Sequence, residues 1–156
     1  MKFVYKIKLL AYENIDDLMG WLVDQTILLY TGSVARNDFV LVHGITSSWA
    51  LKQIVPHLDK KDQLEALRTF LCGLLAFYLI RQKPEIKREL IFEEPSVEKM
   101  SWEDLRKRLL NKNVEEVDEH DFKLFQVCQD QWEKYRRDHM EAVYKRAILS
   151  NLDNPF

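Results

Sequence analysis

A histidine, a glycine and three hydroxyl side chains interrupt an apolar stretch of helical length in the first third of the chain. The stretch runs from Asn37 to Leu51, and its middle reads His43, Gly44, Ile45, Thr46, Ser47, Ser48. An imidazole can bind a metal ion or transfer a proton near neutral pH. The sequence therefore suggests a metal ligand or a proton-transfer group at His43. The alternative is a core histidine hydrogen-bonded to a hydroxyl or a backbone carbonyl.

Helical spacing predicts the surroundings of this histidine. It shares one helix face with Phe39, Val40, Thr46, Ser47 and Ala50. We therefore expect the imidazole to point into a largely apolar interior. Gly44 costs the helix up to about 1 kcal/mol relative to alanine. That cost fits the close approach of a ligand or of another backbone, and it fits a helix–helix contact equally well.

A second polar group stands at the predicted start of the last helix. His120 and Lys123 are three residues apart, next to the apolar Leu124 and Val127, so both are expected to point inward. Burial lowers the pKa of a lysine because the ammonium form is desolvated, and the neutral amine can react with carbon dioxide to form a carbamate. The other interpretation is a solvated first turn whose lysine reaches water.

The chain resembles the questin oxidase-like family in four segments. These are Asp38-Phe39, the segment 43–48, the leucine-rich helix that ends at 81–84, and the late His-x-x-Lys motif after Asp118 and Glu119. The resemblance implies oxygenases of fungal polyketide pathways that cleave anthraquinone-type rings. It also implies non-haem iron held by several histidines and a carboxylated lysine, which are ligands suited to ferrous iron and dioxygen.

Carried over to this chain, the resemblance implies that His43, His120 and Lys123 are metal ligands, with iron as the metal and NADPH as a candidate reductant. The implied substrate is a small hydrophobic or aromatic molecule similar to a polyketide. Family members are longer, and the chain resembles only their C-terminal part, so further ligands are expected in a region absent from this sequence. The alternative function is a catalytically inactive, truncated helical module that forms a homo-oligomer or joins a missing N-terminal half.

Composition and the absence of other motifs exclude several classes of function. Basic and acidic residues are nearly balanced, at 23 and 25, which predicts neither a nucleic-acid surface nor a membrane surface. The two cysteines, Cys72 and Cys128, lie in apolar patterns, which favours free thiols and a cytoplasmic location. The longest apolar run, 70–80, is far shorter than the roughly 20 residues that span a bilayer. We find no glycine-rich dinucleotide or flavin motif and no hydrolase elbow.

The pattern predicts one all-α domain, 1–156, of about five helices, the C-terminal part of a larger helical fold. The predicted helices run from Asn14 to Gly32, from Asn37 or Asp38 to Val55, from Lys60 to Gln82, from Ser101 to Asn111 and from Val117 to Asn151. The predicted caps of the first three are Asn14, Asn37 or Asp38, and Asp59, and Ser101 with Asp104 resembles a capping box. The second, third and last helices are expected to form the central packing unit. Residues 1–12 fit a strand or a helix, and 84–100 a long connection. His57, after Pro56, and His139 are expected at the surface.

Overall fold

The computed structural model describes residues 14–35, 38–92, 97, 99–113 and 117–153, and within these ranges it is all-α with no β-strand. The helices are α1 (Ile15–Gly32), α2 (Phe39–Ile54), α3 (Lys60–Ile80), α4 (Arg88–Phe92), α5 (Trp102–Leu110), α6 (Glu119–Tyr135) and α7 (Asp138–Asp153). The predicted fold class is confirmed. The expected strand or helix in 1–12 and the proposed cap Asn37 lie outside the described residues.

Local sequence signals account for most helix starts. The side chains of Asn14, Asp38 and Asp59 accept hydrogen bonds from backbone amides in the first turns of α1, α2 and α3. Ser101 and Asp104 form a reciprocal capping box at α5. Each of these caps was predicted. They satisfy amide groups that have no partner inside the helix.

The predicted last helix is two helices. The chain turns at Arg136, whose φ of 47° and ψ of 43° lie in the left-handed region, and α7 then packs against α6 and α1. One side of α7 is buried in the core, including Met140, Val143, Tyr144 and Ile148. Neither glycine nor proline marks the turn, so the usual stop signal was missing.

The helix α3 is not at the centre of the fold, contrary to prediction. Among its residues only Leu67 is buried, while Leu75, Phe77, Leu79 and Ile80 are 42–71% exposed. It contacts α2 and the 3-10 turn Val55–His57, whereas α1 occupies the centre between α2, α7, α6 and α4. By length and composition, α3 could also cross a membrane, with 6% of its most apolar window buried. An apolar pattern predicts that a helix is buried against another surface, but it does not show which surface that is.

The packing of α1 against α2 determines which side of α2 is left exposed. Residues Leu41, Val42, Ile45, Ser48 and Lys52 of α2 are buried. The face with His43 turns away from α1 and toward the start of α6, with Phe39, Ser47 and Ala50 exposed. The expectation that this face points into an apolar interior is therefore wrong. Instead, it forms part of the wall of an open pocket.

Candidate functional site

The two histidines singled out by the sequence face each other. His43 lies on α2 and His120 in the first turn of α6, and their Nε2 atoms are 3.4 Å apart. The ring centroids are 4.8 Å apart. His120 is buried and His43 is half-buried. The fold thus brings together two imidazoles that are 77 positions apart in sequence.

The other ring nitrogen of each histidine faces an oxygen. His43 Nδ1 lies 2.6 Å from the carbonyl oxygen of Phe39, and His120 Nδ1 is hydrogen-bonded to the carboxylate of Asp118. A carbonyl and a carboxylate only accept, so each Nδ1 carries a proton. A neutral imidazole has one proton, so each Nε2 then presents a lone pair. Two facing lone pairs repel each other unless a cation or a proton lies between them.

The distance between the two Nε2 atoms fits two ligands of one metal ion. Imidazole nitrogens bound at about 2.1 Å with a roughly tetrahedral angle lie about 3.4 Å apart. The Asp118–His120 contact also matches the carboxylate–histidine pairs that orient metal-bound imidazoles. Within the described ranges, no group of three or more His, Cys, Asp and Glu side chains converges. The two histidines therefore fit part of a metal site, and among the described residues a further ligand would come from a group other than these four side-chain types.

The charge of Asp118 supports the placement of a proton on Nδ1 of His120. A hydrogen bond from the backbone amide of His120, followed by the bond with its side chain, lowers the pKa of Asp118 below the usual range. The carboxylate is therefore ionised at neutral pH. It accepts the Nδ1 proton and helps fix the orientation of the ring.

Lys123 does not point into the interior as expected. Its side chain is 47% exposed, and Nζ lies 2.9 Å from Oε1 of Glu119, one helical turn earlier. This ion pair is the main reason that the pKa of Glu119 is lowered. The geometry matches the alternative interpretation, a solvated first turn. Lys123 nevertheless lies on the wall of the same pocket as His43.

This pocket, which we call the histidine pocket, lies between α2 and α6. Its volume is about 460 Å³, and its wall consists of His43, Thr46, Ser47, Trp49, Ala50, Lys123, Gln126 and Val127. A volume of this size is typical of small-molecule sites. Phe39 packs edge-on against both imidazoles, with ring centroids 4.5 Å and 4.9 Å away. The sequence pattern had placed Phe39 beside His43, but it gave no indication of its contact with His120.

The glycine and the hydroxyl groups beside His43 have structural roles. A Cβ atom on Gly44 would lie 3.1 Å from Cδ1 of Leu74, so the glycine allows α3 to approach α2. Thr46 and Ser47 both bond to the carbonyl of His43. Of the two interpretations of Gly44, the structure supports the helix–helix contact. Mid-helix serine and threonine commonly bond backward in this way.

The remaining candidate residues lie elsewhere. His57 and His139 are both exposed, as predicted, and neither joins the facing histidines in a group of three potential metal ligands. Cys128 is buried, which raises the pKa of its thiol, and Cys72 is half-buried. Both thiols are free.

Comparison with models of known protein families matched residues 11–128 to the family described as questin oxidase-like. The matched range includes His43, His120 and Lys123 together with the entire wall of the histidine pocket. Comparison with curated proteins found no match, and comparison with solved structures found none either.

Proposed function

Because this chain belongs to the questin oxidase-like family, we propose that it is an oxygenase that uses non-haem iron bound by His43 and His120. Family membership indicates an oxidase-type function. The observation that carries the more specific proposal is the 3.4 Å distance between two Nε2 atoms, each on a ring whose Nδ1 faces an oxygen. This arrangement provides two neutral nitrogen ligands, which suit ferrous iron.

Each neighbouring residue has a role in this proposal. Ferrous iron, when bound, supplies the activation of dioxygen. Asp118 holds the ring of His120, and Phe39 shields one side of both rings from water. Lys123 would supply a third ligand: its ammonium would first lose a proton to water, and the resulting amine would form a C–N bond to carbon dioxide and release a second proton. This reaction requires the ion pair between Lys123 and Glu119 to break.

The residues on the wall of the histidine pocket support the proposal of a hydrophobic, aromatic substrate. Trp49, Ala50 and Val127 supply apolar surface, and Gln126 offers an amide to a phenolic hydroxyl or a quinone oxygen. A volume of about 460 Å³ suits a fused-ring molecule similar to a polyketide. NADPH is proposed as an external source of electrons.

Iron content tests this function directly. We expect the full chain, produced with added iron and bicarbonate, to contain nearly one iron per chain by mass spectrometry. We expect it to consume dioxygen when a hydroxyanthraquinone and NADPH are added. Omitting bicarbonate should lower the iron content of the unaltered chain, but not that of a Lys123→Met variant. Absence of iron from all these samples would overturn the proposal.

The exposed face of α3 favours a second candidate function, a structural module that associates with a second copy of the chain. The residues 70–80 include no charged side chain, and Leu75, Phe77, Leu79 and Ile80 are exposed. Two such faces can cover each other in a symmetric pair without placing like charges together. An exposed apolar surface of this kind is typical of an interaction site.

The oligomeric state tests this second candidate. We expect a dimer by light scattering, and we expect Leu79→Glu to raise the dissociation constant at least about tenfold because it places a charge in the apolar contact. Lys61→Glu, on an exposed residue at the other end of α3, is the matched control and should leave the dimer intact. A chain that stays monomeric at every concentration would exclude this function.

A further inference from the structure

Lys52 is a buried lysine whose ammonium has no carboxylate partner among the described residues. The residue is 6% exposed, and Nζ donates a hydrogen bond of 2.6 Å to Oε1 of Gln131. Two other lysines with little exposure differ in this respect. Lys145 lies 2.7 Å from Glu141, and Lys112 lies 3.0 Å from Asp121. Buried charges are normally paired, so the surroundings of Lys52 do not favour its charged form.

The acceptor of this hydrogen bond is held in place. The amide nitrogen of Gln131 donates to the backbone oxygen of Gly20 and to Oδ1 of Asp24, both at 2.8 Å. Its oxygen must therefore face Lys52. Nζ of Lys52 also lies over the ring of Tyr135, 4.5 Å from its centroid. The Lys52 amine is consequently fixed in position rather than free to move with a flexible side chain.

The protonation of Lys52 reflects these surroundings. Burial, followed by repulsion from Lys134, lowers its pKa to about 8, while the carboxylates of Asp16, Asp130 and Asp24 oppose the shift. A lysine normally titrates near 10.4. A much larger fraction of Lys52 than of a solvated lysine is therefore the neutral, nucleophilic amine at neutral pH.

The Lys52 side chain lies on the wall of a second pocket, which we call the lysine pocket. Its volume is about 540 Å³, and it opens to solvent between α2 and the end of α6. Asp16, Asp130 and Lys134, three of the four charged residues that act on the amine, are also on the wall. Trp49 separates this pocket from the histidine pocket and donates from its indole nitrogen to Asp130. The two pockets are therefore adjacent but chemically distinct.

We propose that Lys52 is a nucleophilic amine that forms an imine with a small polar aldehyde or ketone bound in the lysine pocket. The amine lone pair attacks the carbonyl carbon, a C–N bond forms, and the carbonyl oxygen takes up a proton. That oxygen then leaves as water while the C=N bond forms. The amine loses two hydrogens and the carbonyl compound loses its oxygen, so the step needs neither oxidant nor reductant.

Reductive trapping tests this proposal. The full chain is incubated with glyoxylate and cyanoborohydride, and the modified lysines are located by peptide mass spectrometry. We expect Lys52 to be labelled about tenfold faster than the exposed Lys60 at pH 7.5, because its pKa is lower. The rate at Lys52 should level off near pH 8, whereas labelling of Lys60 should continue to rise. Lys145, buried but paired with Glu141, should remain unmodified.

Two variants separate reactivity from folding. Lys52→Arg keeps a cation that can bond to Gln131 and should leave the other lysines with their original labelling rates. Lys52→Met removes the buried charge altogether and should likewise leave the other lysines with their original labelling rates. The proposal is overturned if Lys52 reacts no faster than Lys60, or if its rate continues to rise to pH 10.

Discussion

Replacing His43 with alanine is expected to weaken iron binding by more than about 100-fold, because it removes one of the two facing nitrogen ligands. Replacing His120 should have an equal effect. A chelator competition titration measures the affinity of each variant. His43 is half-buried whereas His120 is buried, so His43→Ala disturbs the packing less and is the cleaner variant for this test.

Two controls make this prediction specific. His139→Ala removes an exposed imidazole at the start of α7 and should retain the original iron affinity. Asp118→Asn leaves both ligands but weakens the support of His120, so a smaller loss of about 10- to 100-fold is expected. If both His43→Ala and His120→Ala bind iron as tightly as the unaltered chain, the metal lies elsewhere.

The sequence predicted those features of the fold that depend on neighbouring residues. The caps at Asn14, Asp38, Asp59 and Ser101 were all identified, because a capping side chain acts on amides two or three residues away. The break at Arg136 was missed because a left-handed residue at a helix end is usually glycine. The burial of α7 beyond this turn depends on contacts with α1 and α6, which periodicity alone does not specify.

Only part of the candidate site was predicted, because contacts between distant helices are not specified by the local sequence. Both histidines were identified by type and position, but only the fold shows that their Nε2 atoms meet. Lys123 was expected inside because it is three residues from His120, yet its pairing with Glu119 turns it toward solvent. Lys52 was overlooked, although it follows Ile45 and Ser48 on the buried face of α2 at helical spacing. A lysine at such a position is the signal that could have revealed the lysine pocket.

The largest loss of stability is expected from Asp24→Ala, at about 3–5 kcal/mol in the free energy of unfolding. Asp24 is 3% exposed and is paired with Arg137. Its Oδ1 also accepts hydrogen bonds from Tyr144 at 2.6 Å and from Gln131 at 2.8 Å. Alanine would leave a largely buried guanidinium, a phenol and an amide without this acceptor, and it would open a cavity. Urea denaturation followed by circular dichroism measures the change.

The matched control for this loss is Asp17→Ala, which removes an exposed carboxylate from the same helix and should cost less than about 1 kcal/mol. Asp24→Asn separates charge from shape, because the amide can still accept from Tyr144 but no longer neutralises Arg137. Its loss of stability should therefore fall between those of the two alanine variants. A loss at Asp24→Ala no greater than at Asp17→Ala would show that the contacts of Asp24 do not hold α1 against α6 and α7.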